Sequence, residues 1–168
     1  TSNTSTNCTP MLFLASHCES SGTGWSNTNY SNLLVRFNFQ RPECNATSIA
    51  KQNTITGMNF KSRSDYTAGM PVNQMEGDFL LLQFRINIPE RFEAVMAGWD
   101  LSTQPVNPPS GQKYIGFHHP AGDVKKVTFA RNLTPSNNLF YTLDIDNSRT
   151  EGAYAPGSSG SGLFREDG

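Results

Sequence analysis

Ionised side chains are scarce in this sequence: 13 Lys and Arg stand against 14 Asp and Glu, a net charge of −1 over 168 residues. So weak a field excludes an electrostatic case for a nucleic-acid or anionic-membrane partner. No apolar run approaches the roughly 20 residues a membrane-spanning helix needs, and no signal peptide is visible after Thr1, so any leader lies outside the sequence. No segment sustains a helical period. Cysteine is limited to Cys8, Cys18 and Cys44. An odd count in an exported protein points to a partner that is missing or unpaired, and free thiols are the alternative.

What is present is β-like. Ser, Thr and Asn are abundant, which suits a secreted β protein, and a hydrophobic share of 36% can fill a real core. Short apolar or alternating runs predict strands over 11–15, 35–39, 54–61, 79–88, 94–99, 114–117, 124–130 and 139–145. The stretch 20–32, rich in Ser, Gly, Asn and Thr, reads as a loop. Pro89 and the group Pro105, Pro108 and Pro109 interrupt the pattern. Many short strands with frequent turns indicate an all-β barrel or sandwich, and no internal repeat is evident.

Three places carry chemistry. The stretch Ala155-Pro156-Gly157-Ser158-Ser159-Gly160-Ser161-Gly162 holds serines among glycines, a pattern that serves a nucleophile turn or a flexible loop. Met11-Leu12-Phe13-Leu14 runs into Ala15-Ser16-His17-Cys18, and Gly77-Asp78 opens Phe79-Leu80-Leu81-Leu82. A serine hydroxyl attacks only when a base takes its proton, and imidazole is suited to that at neutral pH. His17, at a small-residue turn after an apolar strand, is the candidate base; a surface histidine is the other reading. A carboxylate must then hold the ring's tautomer, and Asp78 at the mouth of an apolar strand is the best placed. Asp65 and Asp100 are possible substitutes, and a plain turn Asp after Gly77 is the structural alternative.

These segments, with Ala97-Gly98-Trp99-Asp100 and Ile115-Gly116-Phe117-His118-His119-Pro120, resemble the chymotrypsin-like serine endopeptidases, and among them the bacterial lysyl endopeptidase group. The motifs span nearly the whole chain in the family's order. The chain departs from the pattern at Leu14-Ala15-Ser16-His17-Cys18, where the family has Thr-Ala-His-Cys or Thr-Ala-His-His-Cys. It also has Ser158 where the animal enzymes have Asp. The resemblance implies two Greek-key β-barrels of the chymotrypsin type, truncated at both ends here. It divides the chain into an N-terminal barrel, 1–90, carrying His17 and Asp78, and a C-terminal barrel, 91–168, carrying Ser159. It makes Ser159, in Gly-x-Ser-Gly, the nucleophile, and the amides of Gly157 and Ser159 the oxyanion donors. It also implies that Cys18 is disulfide-bonded, with Cys8 or Cys44 as the available partners. A Lys preference is analogy alone, because the region supplying the pocket carboxylate is expected beyond Gly168.

The order His17, Asp78, Ser159 is the chymotrypsin order, unlike the Ser, Asp, His order of α/β-hydrolases. His118-His119 as a metal pair fails, because neighbours on a strand face opposite ways and no further ligand spacing supports them; the segment is read as structural, and Trp99 as packing. The expectation is a secreted, monomeric serine endopeptidase acting on protein or peptide through an acyl-enzyme, with no cofactor, metal, nucleic acid or membrane. A catalytically silent homologue that binds protein is the alternative, and an unrelated β-rich adhesion domain a third.

Overall fold

A computed structural model describes residues 9–19, 26–49, 53–65, 70–71, 77–98, 107–136, 141–145 and 152–167. The chain divides into two compact units. The first is Thr1–Phe39 with Ile49–Trp99; the second is Gln40–Ser48 with Asp100–Gly168. Among the described residues the structure is all-β in character: ten short antiparallel strands, one six-residue helix and a few 3-10 turns. The strands form two three-stranded sheets and two two-stranded ladders. No described helix is long and apolar enough to cross a membrane.

In the first unit, β1 (Met11–Leu14), β5 (Leu80–Phe84) and β4 (Met58–Arg63) make one sheet with β5 central. The period of two in β5 sends Leu80, Leu82 and Phe84 inward. They meet Tyr30, Ile55, Met58 and Phe92 in the core, with Leu12, Leu14 and Phe37 packed alongside. A second ladder pairs β2 (Leu34–Phe37) with β3 (Asn53–Thr56).

The run over 54–61 proves to be two strands, not one. Gly57 separates them at φ +93°, and a Cβ there would lie 3.1 Å from the Ser31 carbonyl oxygen and from Arg85 Cδ. Helix α1 (Asn27–Asn32) replaces part of the expected loop. Its first turn is closed reciprocally by Ser26 and Asn29, and Tyr30 anchors it in the core. The strand expected over 94–99 is not formed by residues 94–98. Phe92 takes the buried position, Glu93 turns the chain at φ +51°, and Val95 emerges 86% exposed; Trp99 lies outside the described residues.

In the second unit, β6 (Tyr114–His118) sits between β7 (Lys126–Ala130) and β10 (Leu163–Arg165). Here β8 (Leu133–Pro135) pairs with β9 (Tyr141–Leu143). Neither β8 nor β10 is evident in the sequence, because three residues are too few to display a period.

Candidate active site

The register of β1 on β5 places Leu14 opposite Leu80. Extending it by two residues brings Ser16, just past β1, level with Asp78, just before β5. A one-turn 3-10 helix over Ser16–Cys18, with Cys18 N–H on Ala15 O at 3.2 Å, turns His17 onto the same carboxylate. Asp78 therefore accepts three hydrogen bonds. Ser16 Oγ–H reaches Oδ1 at 2.8 Å, the His17 amide reaches Oδ1 at 3.0 Å, and His17 Nδ1 lies 2.5 Å from Oδ2. Fully buried Ser16 is backed by Ser64 at 3.1 Å, whose hydroxyl oxygen accepts the Phe79 amide at 3.0 Å.

Burial opposes ionisation of Asp78, but the bonds from the His17 ring, the His17 amide and the Ser16 hydroxyl together outweigh it. They hold the carboxyl below the usual carboxylate range. An ionised carboxylate can only accept, so Nδ1 is the protonated nitrogen of neutral His17 and Nε2 carries the basic lone pair. The pair thus presents an oriented base. Asp65 is exposed and Asp100 lies outside the described residues.

Cys18 and Cys44 are free thiols, which corrects the disulfide expected at Cys18. The two belong to different units, and Cys8 lies outside the described residues. Burial, aided by the charge of Asp78, raises the Cys18 thiol above its ordinary value and keeps it protonated.

Sequence reasoning missed Glu19. It follows the His17 turn, is 1% exposed, and is held by the Tyr30 hydroxyl of α1 and Arg63 Nη1 of β4. An acid at the start of a polar stretch gives no local sign of burial, and its cation lies 44 residues away. Removing that cation leaves a buried charge without its counter-ion. Arg63→Ala is expected to destabilise the protein by about 3–5 kcal/mol, read as a lowered urea midpoint; an unchanged midpoint would refute the pairing.

In the second unit, the segment 155–161 forms a tight turn. Ser158 N–H donates to Ala155 O at 3.0 Å, and Ala121 N–H to Pro156 O at 2.6 Å. Gly157 takes φ +95°, where a Cβ would stand 3.0 Å from His119 O and 3.2 Å from Gly122 N, so only glycine fits. Ser158 is buried, whereas Ser159 and Gly157 are exposed. The Ser158 hydroxyl lies 2.8 Å from His118 Nδ1. Ser161 donates to the Ser158 carbonyl from its amide at 3.2 Å and its hydroxyl at 2.6 Å. The Ser158 and Ser161 hydroxyls thus both help to hold the turn. The two neighbouring histidines diverge: His118 turns to Ser158 and Thr128, and His119 Nδ1 to Asp123 O at 3.0 Å.

The structure thus joins His17 to Asp78 in the first unit and sets Gly157 and Ser159 on an exposed turn of the second. A family model described as "Lysyl endopeptidase, C-terminal domain" matches residues 1–168. No curated protein matches the chain.

Proposed function

The chain belongs to the lysyl endopeptidase C-terminal domain family, and from that premise we propose that it is a serine endopeptidase with His17, Asp78 and Ser159 as its catalytic residues. The observation that carries this reading is the Asp78–His17 bond, which fixes the tautomer a base needs. The family is protease-related, the residues occur in the chymotrypsin order, and Ser159 is exposed on the turn whereas Ser158 is buried beneath it against His118.

In the proposed reaction, Ser159 Oγ attacks the scissile carbonyl carbon as its proton passes to His17 Nε2. The carbonyl oxygen becomes an oxyanion that accepts from the Gly157 and Ser159 amides. Asp78 stabilises the imidazolium. On collapse, the C–N bond breaks and His17 returns the proton to the leaving amine. Water then attacks the acyl-enzyme ester with His17 again as base, releasing the acid and restoring Ser159. The reading includes the two-barrel chymotrypsin arrangement, with His17 and Asp78 in one barrel and Ser159 in the other. It also makes the protein a secreted monomer that acts on protein or peptide without a cofactor.

The test is treatment with a serine-directed phosphonate and mass spectrometry of the labelled peptide. A single adduct on Ser159 is expected. An unlabelled, inactive protein would favour the silent, protein-binding homologue, and an adduct on Ser158 or Ser161 would reassign the nucleophile.

A further inference from the structure

His118, which the proposed reaction does not use, is the most enclosed imidazole of the chain. It is 1% exposed at the end of β6 and bonded at both nitrogens. Nδ1 lies 2.8 Å from Ser158 Oγ, and Nε2 lies 2.7 Å from Thr128 Oγ1 on β7. The Tyr154 ring stacks on it at 4.3 Å between centroids and 22° between planes.

The surrounding backbone is shaped for this stack. At Gly116, two residues earlier on β6, a Cβ would fall 1.8 Å from the Tyr154 hydroxyl oxygen. At Gly152, a Cβ would fall 2.7 Å from Thr128 Oγ1. Side chains at these two positions would displace the partners of His118.

The hydrogen-bond directions follow from counting protons. Ser158 Oγ accepts the Ala155 amide at 3.4 Å, and its own hydrogen needs an acceptor, which Nδ1 supplies. Neutral His118 then carries its hydrogen on Nε2 and donates to Thr128. The Ser158 carbonyl is fixed on its other side by Ser161. In a trans peptide the C=O and the following N–H point in opposite directions, so fixing Ser158 at its hydroxyl and carbonyl also aims the Ser159 amide.

We propose that His118 is a positioning residue for the nucleophile turn: as the Nε2–H tautomer it holds Ser158 and thereby orients the peptide group that carries the Ser159 N–H. Its consequence for turnover rests on the peptidase reading; the tautomer does not. Burial, with the neighbouring charge of His119 adding, keeps His118 below the ordinary imidazole range. Among the described residues, Tyr154, whose hydroxyl burial raises and keeps neutral, stacks on the ring, and Lys126 is the register partner of His118 on β7. The Lys126 ammonium is paired with Asp123 at 3.0 Å.

The tautomer is read by ¹⁵N NMR of the histidine rings in the intact protein. The expected result is an Nε2–H signal for His118 that persists below the ordinary imidazole range. An Nδ1–H tautomer, or a protonated ring at neutral pH, overturns the proposal in an active or an inactive protein alike. Kinetics give the second arm. Ser158→Ala and His118→Ala should each lower kcat by about tenfold to a hundredfold, as a misaimed group does, with KM unchanged. His118→Asn, which retains an acceptor near the Nδ1 position, should recover most of the loss. Ser158→Ala removes a single oxygen and decides the matter if His118→Ala fails to fold. Full turnover in Ser158→Ala, or His118→Asn as impaired as His118→Ala, overturns the proposal. Absence of both phosphonate labelling and turnover in the wild type removes the peptidase reading and leaves the NMR result to decide the tautomer.

Discussion

Asp78→Asn is expected to leave the fold in place and to lower turnover by about four orders of magnitude, the scale seen when a triad carboxylate becomes an amide. The cause lies in the donors around it. Asp78 accepts from Ser16, the His17 amide and His17 Nδ1. An Asn at this position has one accepting oxygen. With that oxygen on Ser16 and the His17 amide, its NH₂ faces Nδ1, which must then accept. The proton moves to Nε2 and the base is lost.

A second signature accompanies the first. Because the folded-state pKa of Asp78 is depressed, its contribution to stability is complete above the ordinary Asp value of about 3.9. It is lost as pH falls through the folded-state value. Urea unfolding across that window should show a shallower acid limb in Asp78→Asn than in the wild type. Turnover within tenfold of wild type, measured on a peptide amide, would sink the assignment.

Ser159→Ala should have a larger effect still, about 10⁶-fold in kcat, comparable to removing a whole triad. It should leave thermal stability unchanged because the side chain is exposed. Ser161→Ala supplies the contrast. The Ser161 amide still donates to the Ser158 carbonyl at 3.2 Å when the hydroxyl is gone, so that variant should retain activity within about tenfold, far above the loss expected for the nucleophile. Stopped assays with a chromogenic peptide ester separate the two. A dead Ser161→Ala beside an active Ser159→Ala would reverse the assignment.

The adjacency of His17 and Asp78 was readable because each lies within three residues of the end of an apolar strand, and pairing two such strands brings their polar ends together. The strand at Leu80–Phe84 was legible as an apolar run, but not which face turns inward, because Leu81 is as apolar as the buried Leu80 and Leu82. Helix α1 was not readable. Its composition is that of a loop, and what holds it is Tyr30 in the core and a carboxylate 11 residues earlier. His118 was read as structural, yet its partners lie 10 and 40 residues away, and no local pattern of residues signals them. Gly57 and Gly116 were likewise silent, since the first divides a strand by its dihedral and the second gives way to a distant ring.

The interleaved make-up of the second unit bears on how the protein is made. Gln40–Ser48 leaves the ribosome early, but the rest of its unit begins only at Asp100. At roughly 5–20 residues per second, the nine-residue piece waits several seconds for the first of its companions. During that wait the surrounding first unit can complete its own core, so the early piece is held as a tethered strand-length segment while its destination is still being synthesised. For the same reason, splitting the gene after Trp99 would divide the second unit between two polypeptides and would not separate two folding units.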